Sequence, residues 1–258
     1  MNVSLMMFLI GHFICDFTLQ PKCFIERKET SIVYQLVHSG IYLLFVLFTC
    51  LCFGNILQII FFSLGAGISH FIIDFLKIKL VKKKNTNYSQ FIFFVLDQIL
   101  HIAILFALSL NLPNFNNIGK VIFEGIYSNQ SICKIGLSKL LLGIIIFILM
   151  LSPSSVFIKK FLALFIKSDE PTSANQDSHE SESTIQAGAL IGKLERVLIL
   201  ILGLMGQYAS IALVLTAKSI ARYNKITTNP DFAERYLVGT LLSLLIAILG
   251  LIILKIQQ

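Results

Sequence analysis

Long hydrophobic runs alternate with short polar segments along most of the chain. Several runs approach the ~20 apolar residues that a helix needs to cross a bilayer. The predicted spans are 3–19, 31–53, 56–80, 89–110, 136–158, 193–218 and 235–255. The pattern therefore predicts an all-α integral membrane protein with about seven transmembrane helices.

Two breaks in the hydrophobic pattern divide the chain further. The fifth predicted span meets Ser152 and Pro153, where we expect a kink or an end because proline interrupts a helix. The stretch 168–186 is polar and of low complexity, which is typical of a disordered linker. The predicted regions are a transmembrane unit at 1–110, an outer loop, fifth span and interfacial segment at 111–167, the linker at 168–186, and a C-terminal helix pair at 187–258.

Composition supports the membrane class. Hydrophobic residues make up 56% of the chain and charged residues only 14%, whereas soluble domains carry roughly 25% charged residues. The net charge of +7 then indicates loop charge that sets orientation in the membrane. No long basic run contains interleaved aromatic residues, so the sequence predicts no nucleic-acid partner. The bilayer itself is the predicted partner, and the sequence indicates no oligomeric state.

The basic residues favour one orientation. If the N-terminus lies outside, 14 of the 21 Lys and Arg residues fall on cytoplasmic segments, and the run from Lys82 to Lys84 contributes most. The seven on outer segments are Lys120, Lys134, Lys139, Lys218, Arg222, Lys225 and Arg235. Because positive residues accumulate on the cytoplasmic side, we expect N-out and C-in.

A repeat organises the first four spans. The hexapeptide HFICDF beginning at His12 returns as HFIIDF beginning at His70. The second and fourth spans each carry Gln-x2-His, ending at His38 and His101. Both copies enter the membrane in the same direction. We therefore predict that this N-terminal four-helix unit is a duplicated hairpin, repeated about an axis along the membrane normal.

The repeat concentrates ionisable residues inside the membrane. Residues four apart share one face of a helix, so each copy presents an imidazole above a carboxylate. An Asp at a helix centre costs about 2.5–3.5 kcal/mol, which indicates a function. At ~1.5 Å per residue, all these groups fall in one layer near the predicted cytoplasmic ends. The predicted pocket contains His12, Asp16, His38, His70, Asp74, Asp97 and His101, with Gln20, Gln35, Gln98 and Lys77 at its rim.

These residue types favour a metal site. Imidazole and carboxylate bind zinc, or iron and manganese, and a metal would balance the buried acids. A metal-bound water acidified towards neutrality is a hydrolytic nucleophile. We therefore predict a divalent metal, zinc first, held by all seven side chains, with one of Asp16, Asp74 or Asp97 acting as a catalytic general base. The predicted activity is hydrolysis of a lipid or another phosphoester.

Two other functions use the same residues. Carboxylate and imidazole chains also carry protons or cations across membranes, as in a proton- or cation-coupled transporter. Alternatively, each His–Asp pair satisfies only its own hydrogen bonds, and the polar layer belongs to a scaffold that fixes helix packing.

The motifs carry a family resemblance. The H-x3-DF-x-LQ at His12–Gln20, then His38, the H-x3-D-x2-K beginning at His70 and the DQ-x2-H beginning at Asp97 resemble an uncharacterised bacterial membrane family, domain of unknown function 3307. This resemblance implies a location in the bacterial cytoplasmic (inner) membrane. A looser similarity, limited to the paired His-x3-Asp helices, is to membrane-bound metal-dependent hydrolases, and beyond them to zinc-dependent phospholipase C and single-strand nucleases.

Charged residues also flank the last two predicted spans. Glu195 and Arg196 begin the sixth span, and Lys218 and Arg222 follow its end. Such residues extend their charged ends to the membrane interface. The alternative is that Glu195 and Arg196 bind a lipid head group.

Overall fold

A computed structural model describes the protein over 2–84, 86–112, 115–128, 136–165 and 178–256, without the side chains of 126–127 and 178–187. Within these ranges the structure consists of helices joined by short connections. It divides into two compact units, Met1–Ile148 and Leu149–Gln258. The predicted all-α membrane class is confirmed.

Among the described residues, seven helices begin in the first unit. They are α1 (Val3–Phe17), α2 (Lys22–Thr30), α3 (Ile32–Cys50), α4 (Ile56–Lys83), α5 (Asn87–Leu110), α6 (Asn117–Tyr127) and α7 (Leu137–Met150), the last of which runs just past the boundary of the unit. Side-chain caps mark where the long helices begin. Asn55 and Gln58 form a capping box at the start of α4, and Thr86 and Ser89 form one at the start of α5.

The helices α1, α3, α4 and α5 pack in a ring, each against the next. Glycines allow the closest approaches. Any side chain at Gly11 on α1 would collide with the ring of Phe45 on α3, and a Cβ at Gly67 on α4 would lie 2.8 Å from Leu43. Small residues at such positions let membrane helices pack tightly. This ring is the predicted pair of hairpins, and its interior holds the polar layer.

Two shorter helices flank the ring. The polar helix α2 turns by 86° from α1, and hydropathy alone did not predict it. Its buried residue is Lys28. Helix α6 lies in the region predicted as an outer loop. Just before it, the ring of Phe115 stacks on the ring of Phe53, with the two centroids 5.0 Å apart. Gly119 on α6 lies against the backbone carbonyl of Cys52, so a larger residue there would collide with the backbone.

The second unit begins at the predicted break. Helix α7 ends at Met150 and α8 (Ser152–Leu162) follows, with a bend of 40° across the break. A 3-10 turn at Ala163–Phe165 follows α8. The remaining helices are α9 (Ser178–Leu204), α10 (Tyr208–Ala221), α11 (Tyr223–Thr228) and α12 (Pro230–Ile256). The segment predicted as a linker overlaps the first residues of α9, and 166–177 lie outside the described residues.

The predicted continuous sixth span at 193–218 is wrong. Helix α9 ends at Leu204, and Gly206 adopts a φ of +74° in the turn that follows. Such a backbone angle suits glycine because it has no Cβ. Lys218 on α10 returns to contact Glu195 on α9, so these two helices run antiparallel. Instead of a helix pair, the C-terminal region contains this hairpin and α12.

Length and composition limit the number of membrane crossings. Among the described residues, α3, α4, α5 and α12 are each long and apolar enough to cross a bilayer. The number rises to six if each of the bent pairs α1–α2 and α7–α8 forms one crossing. Four to six candidate spans therefore stand against the predicted total of about seven.

Candidate metal centre

The ring of helices brings all seven predicted side chains together. Helix α1 contributes His12 and Asp16, and the other three helices contribute the rest. Their side chains are almost completely buried, and the most exposed, Asp16, has 7% of its side-chain surface accessible. The other members of the cluster are His38, His70, Asp74, Asp97 and His101. The i,i+4 spacing explains the convergence, since each pair faces the same interior.

Four atoms form a compact group, which we call the first ligand set. The Nε2 atoms of His38 and His70 lie 2.9 Å apart. Oδ1 of Asp16 lies 3.3 Å from the first nitrogen and 3.4 Å from the second. Oδ2 of Asp74 lies 3.6 and 3.5 Å from the same two atoms. Tetrahedral zinc with bonds of about 2.0–2.1 Å needs ligand atoms roughly 3.3–3.4 Å apart, and these five separations bracket that value.

The hydrogen bonds assign the tautomers of the other two histidines. The amide nitrogen of Gln98 donates to Oδ2 of Asp97 over 3.0 Å, so its oxygen Oε1 accepts from Nε2 of His12 over 3.2 Å. Nδ1 of His101 donates to the backbone carbonyl of Asp97 over 2.8 Å. Each ring therefore keeps its lone pair on the opposite nitrogen, as metal ligands do.

Those lone pairs are buried and unused. Nδ1 of His12, Nε2 of His101 and Oδ1 of Asp97 have no hydrogen-bond partner in the structure. Asp16, Asp97 and His101 can each place one ligand atom within 4.8 Å of the others. We call His12, His101 and Asp16 the second ligand set, because Asp16 joins both histidines: its Oδ2 lies 3.9 Å from Nδ1 of His12, and it shares the group above with His101. Orphaned buried polar atoms are costly, and a bound cation would satisfy them.

The two sets reflect the repeat. The rings of His12 and His101, on α1 and α5, have centroids 5.1 Å apart. The rings of His70 and His38, on the equivalent helices α4 and α3, have centroids 5.0 Å apart. Each set therefore draws one histidine from each hairpin. Asp16 is common to both, because its Oδ1 belongs to the first set and its Oδ2 lies 3.9 Å from Nδ1 of His12.

Two lysines balance part of the negative charge. Nζ of Lys77 lies 2.8 Å from Asp97 and 3.3 Å from Asp74. Nζ of Lys28 lies 2.6 Å from Oδ2 of Asp74, which also belongs to the first ligand set. The three acids of the site thus face two ammonium groups. Charge balance alone leaves room for additional positive charge in the cluster.

Sequence reasoning placed Lys77 at the rim but missed Lys28 as a site residue. Lys28 reaches the site because α2 bends by 86° from α1. The side-chain amide of Gln35 also donates a hydrogen bond of 2.9 Å to the backbone carbonyl of Lys28. The helix has only nine residues and is polar, so no hydrophobic periodicity indicates that Lys28 points into the site. Gln20, also predicted at the rim, approaches Nε2 of His38 to 3.0 Å.

Tyr42 is a second residue that the sequence did not single out. Its ring stacks on that of His70 with centroids 4.0 Å apart and an interplanar angle of 11°. Only 2% of its surface is exposed. It lies four residues after His38 on α3 and therefore on the same helix face, which is the one available signal. The contact fixes the plane of the His70 ring.

Comparison with known proteins assigns a family to this part of the chain. Residues 4–125 match the family model described as "Protein of unknown function (DUF3307)". The matched segment contains all seven side chains of the site and ends before the second unit. No curated protein and no solved structure matches the chain. The N-terminal region that builds the candidate metal centre therefore belongs to the DUF3307 family.

Proposed function

We propose that this protein is a metal-dependent hydrolase that acts on a phosphoester, in particular a lipid, at the cytoplasmic side of the membrane. The observation that carries the proposal is the first ligand set, in which each of two carboxylate oxygens lies 3.3–3.6 Å from both of two imidazole nitrogens, close to the separation of ligand atoms around tetrahedral zinc. Such a set suits zinc, and iron or manganese accept the same donors.

The second ligand set supports a second metal ion. Catalytic zinc is usually held by three protein ligands and keeps one position for water, whereas structural zinc has four protein ligands. The first set offers four atoms. The second offers His12, His101 and Asp16, so Asp16 would contribute to both sites. Two-metal sites are typical of enzymes that cleave phosphoesters, where the ions stabilise the attacking and leaving oxygens.

Asp97 is the best-placed general base. Lys77 and Gln98 hold its Oδ2, so its orientation is fixed, while its Oδ1 is free to accept a proton. A metal in the second set would supply an acidified water. Asp97 would take the proton of that water as the oxygen attacks phosphorus, and the ester oxygen leaves with the bonding electrons and is then protonated.

The lysines favour a phosphoester substrate. A metal bound to Asp74 would compete with Lys28 for the same oxygen, and the released ammonium could then bind a phosphate oxygen. Lys77 has 29% of its side chain exposed, so it borders both the buried site and the exterior of the ring. A substrate already in the bilayer reaches a buried intramembrane site most directly, which is why a lipid is favoured.

A proton- or cation-coupled transporter is the second candidate. One observation favours it: Nζ of Lys77 contacts both Asp74 and Asp97, so one cation links two buried acids on different helices. Chains of this kind carry protons in pumps and transporters.

The test uses the protein reconstituted in phospholipid vesicles, stripped with a chelator and reloaded with zinc or manganese. We expect metal-dependent cleavage of the lipid phosphoester, measured as released head group. The activity should fall at least ~100-fold in Asp97→Asn, because the base is lost. His179→Ala, at the histidine that the sequence places in the polar segment, is the matched control and should retain activity.

One result would contradict the hydrolase, and another would contradict the role of Asp97. Absence of metal-dependent cleavage of lipid or soluble phosphoesters, combined with a pH change inside the vesicles that Asp97→Asn abolishes, would favour the transporter. Equal activity in Asp97→Asn and in the control would remove Asp97 from the mechanism.

A further inference from the structure

The second unit contains its own buried ionic cluster. The reversal between α9 and α10 brings Nζ of Lys218 to the carboxylate of Glu195, and α12 adds Oγ1 of Thr240 at 3.3 Å from the same ammonium. Only 3% of Glu195 is exposed. A charge pair buried between apolar helices is costly to build, so the cluster indicates a role.

Arg196 belongs to the framework of this cluster. Its Nε donates to the carbonyl of Met150 over 2.7 Å, and its Nη2 donates to Ser155 over 2.6 Å and to the carbonyl of Leu151 over 3.2 Å. Met150 ends α7, so its carbonyl has no partner further along that helix. Nη1 lies 3.4 Å from Ser243. Arg196 therefore donates hydrogen bonds to the backbone carbonyls at this break and to two serine hydroxyls, so its donors are already in use.

Arg222 has a different environment. It is the residue that follows the end of α10, four positions after Lys218, and its guanidinium carbon is 6.0 Å from the ring centroids of both Phe232 and Tyr236. Nζ of Lys218 lies 5.5 Å from the same Tyr236 ring. Both cations therefore lie against one aromatic ring, and like charges held this close repel each other. Glu195 balances Lys218, but within the described chain no carboxylate forms an ion pair with Arg222.

Exposed apolar side chains lie close to Arg222 and to Tyr236 along the chain. Ile220 is 70% exposed, Tyr223 is 64% exposed and Leu237 is 57% exposed. Cations beside exposed hydrophobic side chains suit a ligand that carries a negative head and an apolar tail. In a membrane protein that ligand is available from the bilayer itself.

We propose that Arg222 and Lys218, held by Tyr236 and Phe232, bind the phosphate of an anionic phospholipid whose acyl chains lie along Ile220 and Leu237. The arginine presents a planar fork to the phosphate oxygens, which lysine cannot do. Glu195 orients Lys218 without neutralising Arg222. This site lies in the second unit, outside the segment that matches the family model, and does not depend on the metal centre.

Native mass spectrometry of the full chain with defined lipids tests this site. We expect wild-type protein to retain phosphatidylglycerol at least ~10-fold better than phosphatidylcholine, since one charge-assisted contact is worth about that factor. Arg222→Gln should abolish the preference and Arg222→Lys should restore part of it. Arg235→Gln is the matched control, because Arg235 is exposed near the start of the adjacent α12 and its Nε donates to the carbonyl of Asp231.

Three outcomes would overturn the proposal. The first is equal retention of the two lipids by wild-type protein. The second is an equal loss in Arg222→Gln and Arg235→Gln. The third is displacement of the lipid by millimolar inorganic phosphate, which would show a site for free phosphate instead. A thermal unfolding curve of Arg222→Gln that matches wild type, recorded in lipid-free detergent, separates loss of binding from loss of folding.

Discussion

Lys28 shows how a residue outside the repeat completes the site. It lies on the polar helix α2, yet its side chain is 8% exposed and its ammonium contacts Asp74. In the absence of metal this ammonium supplies part of the positive charge that the buried acids require. The periodicity of α1, α3, α4 and α5 predicted the seven side chains of the cluster because they occupy one face of each helix. It could not predict Lys28, which depends on the angle of a bend.

Replacing Lys28 should therefore destabilise the metal-free protein. Breaking a buried ion pair costs about 3–5 kcal/mol, and we expect the lower end of this range for Lys28→Gln because Lys77 still contacts Asp74. Added zinc should restore much of the loss, since it compensates the same carboxylate. Denaturant unfolding in detergent, with and without metal, measures both effects.

The control for Lys28→Gln is Lys22→Gln on the same helix. Lys22 is exposed, so water screens the interactions that it makes, and its removal should change the free energy of unfolding by no more than about 1 kcal/mol. Similar losses in the two variants would mean that the Lys28 contact contributes nothing specific.

Among the helices, close packing positions the ligands. Gly67 lies three residues before His70, where α4 meets Leu43 of α3. The sequence indicated the hairpins through their repeated motifs and the short connection at Gly54. It did not indicate the reversal after α9, because the hydrophobic run continues through Gly206 and hydropathy does not distinguish a turn from a straight helix.

A methyl group at Gly67 should disturb this packing. A Cβ there would lie 2.8–2.9 Å from atoms of Leu43, which is too close without movement of α3 or α4. We expect Gly67→Ala to lower the free energy of unfolding by about 1–3 kcal/mol and to weaken metal binding through His70. Thermal unfolding and metal titration measure the two effects.

Gly65 provides the comparison on the same helix. No atom lies within 4 Å of a Cβ built there, so Gly65→Ala should be neutral or stabilising by up to ~1 kcal/mol through helix propensity. If Gly65→Ala is as destabilising as Gly67→Ala, helix packing at Gly67 is not the cause.

For the whole molecule, the reversal between α9 and α10 changes the predicted topology. The C-in placement assumed that the sixth span crosses the membrane, but Lys218 returns to the level of Glu195 and Lys255 contacts Tyr208 at the opposite end of the hairpin. If the N-terminus lies outside, as the loop charge predicts, then Lys218, Arg222, Lys225 and Arg235 join the cytoplasmic side and Lys255 moves to the outer side.

This stronger bias leads us to expect both termini on the outer side. Alkaline phosphatase fused after Gln258 should be active, because the enzyme folds only outside the cytoplasm, and a fusion within the run Lys82–Lys84 should be inactive. An inactive C-terminal fusion together with an active one at Lys82–Lys84 would reverse the orientation. Inactivity at both positions would place the C-terminus inside.

The central claim is that four helices bind metal in one shared cavity, and the metal content of the purified protein tests it most directly. After loading with zinc and removal of excess metal, we expect about two ions per chain in the wild type. His70→Ala should lose the ion of the first set, His101→Ala that of the second, and His179→Ala neither. Wild-type protein that retains no metal, or variants that retain as much as the control, would contradict the account.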